Sequence, residues 1–151
     1  MIELLVVVAI IGILASVVLA SLNSARNKGA DAAIKSSLAN TRAQAELFYD
    51  GPSSYEGVCA VGGTNTIGAM VNGAETAYGN AATNPFADAT ASAWNVGVCH
   101  DSAGAWAAFV PLKGSAVGAI QAWCVDSAGA SKKVTTALAG GAAPDYVCPV
   151  S

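Results

Sequence analysis

Charge is what this chain has least of. Of 151 residues, only 11% are charged, with seven Lys or Arg against ten Asp or Glu and a single histidine. From Gly51 onward there are three lysines and six carboxylates. A mildly acidic region of this kind lacks the basic footprint that nucleic-acid binding requires, which argues against that as the main role. One histidine, His100, gives no cluster of imidazole ligands, and beside an ordinary turn it supports no Ser-His-Asp arrangement; a packing or solvent-facing place is expected for it. There is no CxxC, so neither a zinc ribbon nor a thioredoxin-like redox site is signalled, and no CxxCH for haem attachment. No catalytic, metal or cofactor residues are expected. Proline is absent before Pro52, and between Leu4 and Leu22 no residue is charged.

What fills that silence is a 22-residue apolar run at the start of the chain, interrupted only by Glu3. As a helix it spans roughly 33 Å, about one bilayer core. Its β-branched content (Val6–Val8, Ile10, Ile11, Ile13, Val17, Val18) suits a buried strand, but its length favours a membrane helix. A cleaved secretory signal is the rival, and Glu3 stands where such a signal carries positive charge. A carboxylate this deep in a lipid-seeking helix has two readings. It snorkels to the headgroups, or it pairs with a cation of a neighbouring chain. The nearest cation type is an N-terminal ammonium, since no Lys or Arg precedes Arg26. Gly12, Ser16, Ala20 and Ser24 recur every four residues, a small-residue ridge that lets helix backbones approach closely in lipid.

The stretch from Ile2-Glu3-Leu4 to Gly12-Ile13-Leu14-Ala15 resembles the N-terminal helix of type IV pilins and their pseudopilin relatives: an apolar helix with one early glutamate and a glycine nine residues on. The resemblance covers the first fifth to third of the chain. It implies a subunit held in the inner membrane as a single-pass pool, extracted by pilus assembly machinery, and stacked with copies of itself into an extracellular helical homopolymer. It also implies that Glu3 neutralises the terminal amine of an adjacent subunit. Mature chains of that family usually begin two residues earlier, with a methylated phenylalanine, and often carry proline where Ala20 stands. The expected assembly residues are Glu3, Gly12, Ser16 and Ala20. The expected function is a major pilin. The alternatives are a pseudopilin or minor pilin of a type II secretion system and, in another class, a membrane-anchored extracellular binding domain that never polymerises. Adhesion, motility and DNA uptake all stay open as the filament's task.

The remainder of the chain divides into an amphipathic continuation, 26–50, and a globular head, 51–151. Ile34, Leu38, Thr41, Ala45 and Phe48 form one apolar stripe at helical spacing, and Asp50-Gly51-Pro52 ends the helix. The stretch Ile67–Val71 suits a short helix or turn, and Asn84-Pro85 a break. A repeat follows: Cys99-His100-Asp101-Ser102-Ala103-Gly104-Ala105 matches Cys124-Val125-Asp126-Ser127-Ala128-Gly129-Ala130 at six of seven positions. Each Asp-Ser-Ala-Gly reads as a hairpin turn, with Asp bonding its own backbone and Gly supplying positive φ. One carboxylate per turn is too few for calcium, which takes six to eight oxygens. The expected fold is α+β: a long N-terminal helix packed on an antiparallel meander of about four strands, near 94–99, 105–111, 119–125 and 131–137. Trp94, Trp106 and Trp123 are expected at the helix–sheet interface. Cys59, Cys99, Cys124 and Cys148, all beyond the apolar run, suit two disulfides in an oxidising compartment. Of three pairings, Cys59–Cys99 and Cys124–Cys148 are favoured because both close sequential loops. The second would pin the C-terminal segment to the sheet, as a C-terminal disulfide loop does in many pilins.

Overall fold

A computed structural model describes residues 1–79, 96–114, 121–138 and 145–149. The chain runs α1 (Ile2–Tyr49), α2 (Gly68–Tyr78), then four strands: β1 (Val98–Asp101), β2 (Trp106–Pro111), β3 (Ala122–Asp126) and β4 (Ser131–Val134). The strands form an antiparallel meander in the order β1-β2-β3-β4. The class is α+β. Trp94 and Asn84-Pro85 lie outside the described residues.

α1 is one unbroken helix, as the lack of proline allows. Its buried residues are Ile34, Leu38, Thr41 and Ala45, with Phe48 half-buried beyond them. That stripe is the docking face, and each large aliphatic in it stabilises the fold by about 1.5–3 kcal/mol. Thr41 meets its own polar need by donating to the Leu38 carbonyl at 2.7 Å. The helix ends at Asp50-Gly51-Pro52 without a left-handed glycine at Gly51. Asp50 stays right-handed, Ser53 takes the positive φ of 52°, and its amide returns to the Tyr49 carbonyl at 2.8 Å. Pro52, unable to continue the helix, enforces the stop.

α2 extends the expected Ile67–Val71 element to Tyr78 and closes on Gly79, left-handed at φ 108°. It lies against α1 and β2, burying Val71 and Ala74. Its first residue sits so close to the preceding loop that a Cβ there would overlap the carbonyl oxygens of Cys59 and Ala60. Only glycine fits at Gly68.

The strands occur where the turns place them, with β1 shifted a few residues toward its turn. Register explains the interior. Trp106, Ala108 and Val110 of β2 share a face with Cys99 and Val125, and this face meets α1 and α2. Ala107 and Phe109 point the other way, with Val98, Cys124, Val134, Leu138 and Cys148. The sheet therefore has a core on each side, and β2 is buried throughout. The second core is covered by the C-terminal segment. Trp106 fills the helix–sheet interface as expected, and Trp123 lies half-buried at its margin with Lys35 Nζ 4.9 Å from its ring centre. At the base of the head, Asp31 of α1 accepts the amides of Lys113 (2.7 Å) and Gly114 (3.1 Å), fixing how far along the helix the head sits.

Two glycine substitutions separate packing from propensity. Gly68→Ala should destabilise the protein by about 1–3 kcal/mol through overpacking. Gly73→Ala, on the same helix with open space around it, should stabilise it by roughly 0.4–1 kcal/mol. Urea midpoints of the two variants in detergent should move in opposite directions from wild type.

Candidate functional site

Among the described residues, the first half of α1 has no packing partner. Its most apolar 18-residue window has a mean hydropathy of 3.0 and none of it is buried. Leu4, Leu5, Ile10, Ile13, Leu14, Val17, Val18 and Leu19 are exposed, a surface that water does not tolerate at this size. The length and composition fit a membrane anchor or a signal segment, and the two disulfides fit a head on the oxidising side.

Glu3 is fully exposed on this half, 3.8 Å from the Met1 amino group. Helical periodicity fixes its direction relative to the head. At about 100° per residue, Glu3 points roughly 130° away from the stripe of Ile34, Leu38, Thr41 and Ala45. Gly12, Ser16 and Ala20 instead fall within about 50° of that stripe, on the head's side of the rod. The small-residue ridge and the carboxylate therefore face different neighbours. Ser16 Oγ donates to the Ile13 carbonyl at 2.8 Å, so the ridge presents no unmet donor. A side chain at Gly12 would meet nothing within 4 Å. The ridge is bare and smooth.

The head is locked by the sequence repeat in a way its turn chemistry alone does not announce. In each copy, Cys and Asp are two residues apart on a strand, so they share a face. Cys99 is bonded to Cys59 (Cα atoms 5.7 Å apart), and Asp101 accepts the amide of Gly57, in the same loop. Cys124 is bonded to Cys148 (Cα atoms 5.8 Å apart), and Asp126 Oδ2 accepts the amide of Cys148 itself at 2.8 Å. Each repeat thus tethers one irregular segment twice, once covalently and once by a charge-assisted hydrogen bond. The two sets lie on opposite faces of the sheet, because Cys99 aligns with Val125 rather than Cys124 across β2.

The turns differ accordingly. Asp126 Oδ1 bonds Ala130 in its own turn, and Gly129 is left-handed at 103°, as the repeat predicts. Asp101 is turned outward to the 57–59 loop, Gly104 is not left-handed, and Ser102 closes the turn through Ala105. His100, between Cys99 and Asp101, is buried. Its Nδ1 lies 3.1 Å from the Asp145 carbonyl, which only accepts, so the ring donates and adds a third tether to the C-terminal segment. Burial pushes the Asp101 carboxyl above the usual range; the amides of Gly57, Val58 and Cys59 draw it back, and nearby Glu56 adds to the rise. Tyr55 is likewise raised, by burial first and then by its hydrogen bond to Glu46 at 2.9 Å. Among the described residues no group of three or more His, Cys, Asp or Glu is gathered as metal ligands would be.

No protein-family model, curated protein or solved structure matches this chain.

The raised Asp101 carboxyl sets a sign for acid stability. Folded protein holds this proton at pH values where the unfolded chain has released it. Asp101 therefore weakens the fold as pH rises from the ordinary carboxylate pKa through its higher folded value. In urea titrations, wild type should lose stability relative to Asp101→Asn across that window, and the difference should be flat at more acidic pH. A gain of wild type over the variant with rising pH would show that the loop amides outweigh burial.

Proposed function

We propose that this chain is a structural subunit of the type IV pilin kind, held in a membrane by the first half of α1 and polymerised into a helical homopolymer with the heads outside. The observation that carries this reading is the bare apolar half of α1 with one carboxylate turned away from the head. When many such rods bundle with heads outward, the side opposite the head looks toward the common axis, where the other rods lie. That is where Glu3 points.

Energetics support giving Glu3 the deciding part. Burying on the order of 2,000 Å² of apolar helix is worth tens of kcal/mol gross at about 25 cal/mol per Å². A bilayer already shelters the same surface, so transfer from lipid to filament core gains little from apolar burial. Within one copy Glu3 has the Met1 ammonium at 3.8 Å, both groups fully exposed, and lipid supplies no further cation. An ammonium of an adjacent subunit supplies one in a water-free core, where a charge pair is strong and an unpaired charge is costly. Pairing of this kind also fixes axial register, because it is satisfied at one stagger only.

The heads suit a surface that is exposed to solvent outside the cytosol. Two disulfides and a sheet covered on both faces make a small head durable without a large core. The reading assigns the chain no catalytic residue and no cofactor.

The test is Glu3→Ala. The variant should remain in the membrane with its disulfides formed, while filament yield falls roughly a hundredfold or more, as loss of one partner of a buried pair predicts. Normal filaments with normal subunit spacing would remove Glu3 from the mechanism. Negative-stain images of shed material separate the alternatives: abundant filaments for a major subunit, sparse tip or periplasmic material for a pseudopilin or minor pilin, none for a non-polymerising anchored domain.

A second expectation concerns the rod itself. Ala20 is a strong helix former where a proline would cost about 3 kcal/mol. Filament reconstructions should therefore show continuous helix from about residue 13 to 28, and an extended stretch through 15–21 would mean that packing overrides propensity.

A further inference from the structure

The exposed charge of the head changes balance along α1, from mostly basic at its lower part to acidic at its end. On α1, Lys28, Lys35 and Arg42 recur every seven residues and therefore share one flank. That flank faces β4: Lys35 lies over Trp123 of β3, and the Arg42 guanidinium lies beside Gly129 of the β3–β4 turn. Lys133 stands opposite Trp123 in register and is exposed on the helix side; Lys132 stands on the far side of the same edge strand. The intervening acid, Asp31, is already committed to the amides of Lys113 and Gly114. Among the described residues, none of these cations is within 4 Å of a carboxylate.

The acidic part lies at the far end of α1. Glu46, Asp50 and Glu56 are exposed there, and Glu56 is close enough to Asp101 to raise its pKa. The last turn of α1 holds no basic residue. Carboxylates thus crowd the negative end of a helix dipole, an arrangement that is unfavourable within one copy. Arg42 has Glu46 one turn away in the same copy, whereas the β4 lysines, Asp50 and Glu56 have no ion-pair partner among the described residues.

We infer that the cationic β4 flank of one copy docks on the acidic crown, Asp50 and Glu56, of a second copy lower along the filament. The occupant is a second copy because the chain itself supplies both charges. The two patches differ, so the contact is heterologous and continues from copy to copy instead of closing on itself. Lys28 and Lys35 stand about 33 and 22 Å below Asp50 along α1, which sets the axial offset of the contacting heads in that range. The β4 edge is also blunted by its lysines against strand pairing, so charge and not strand addition joins the heads. This inference rests on the proposed homopolymer and adds the contact between heads that the apolar rods leave unspecified.

Charge reversal tests it. Lys28→Glu with Lys133→Glu, and separately Asp50→Lys with Glu56→Lys, should each lower filament yield about tenfold or more, since like charges then oppose across the contact. The four changes together should restore yield to within about threefold of wild type, because the attraction is rebuilt with signs exchanged. A mass gain of four hydrogen atoms on reduction, measured on each membrane-resident variant, shows that both disulfides of the head have formed. Wild-type yield in either double variant, or a quadruple variant as poor as the doubles, overturns the inference while leaving the homopolymer intact. Wild type that forms no filaments overturns both.

Discussion

The packing of one helical stripe on a sheet governs the molecule. Ile34, Leu38, Thr41 and Ala45 belong to a helix whose first half never touches the head. Because α1 is continuous, docking its second half fixes the direction in which every residue of the first half points. Rotating the stripe by one position would turn Glu3 by about 100° and bring the small-residue ridge to another side. The head thus acts as the handle that orients the rod, and Asp31, gripping two loop amides, stops it sliding along the rod.

The head meets this demand for rigidity with few charges and short strands. Four strands of four to six residues make a small sheet, and such a sheet exposed on one face would be marginal. Covering both faces solves that. The helices take one side. The C-terminal segment takes the other, held by a disulfide, by Asp126 and by His100. A buried central strand with no polar residue, Trp106–Pro111, is the sequence correlate of that double cover.

Much of this was legible before the structure. The apolar run, the stripe that follows and the absence of proline set the span of α1, and the duplicated Asp-Ser-Ala-Gly set two hairpins and hence the meander. Other parts were not. α2 continues to Tyr78 through Asn72, Gly73 and Thr76, a composition with little apolar periodicity, because contact with α1 and β2 stabilises it and not propensity. The aspartates were read as turn residues alone, since turn chemistry is local and the loops they reach are far along the chain. The Cys-x-Asp spacing was the available sign: on a strand it places bond and acceptor on one face. Glu3 and the ridge were named together as assembly residues, and counting helical rotation back from the stripe, already readable at Ile34, Leu38, Thr41 and Ala45, separates them. The sequence puts charge of both signs along 26–50, and only the docking of α1 places Lys35 and Arg42 beside β3 and its turn.

The double tethers also bear on how the head responds to tension. Cys59–Cys99 and Cys124–Cys148 close spans of 40 and 24 residues. Pulled from its ends, the chain cannot lengthen through those spans while the bonds hold. At roughly 3.5 Å per extended residue, about 220 Å of potential length is withheld. The load instead runs through the strands between the two closed loops, where antiparallel neighbours share it across the sheet. Any lengthening is confined to the residues outside the two closed loops, and a brief overload leaves the irregular segments beside the carboxylates that hold them.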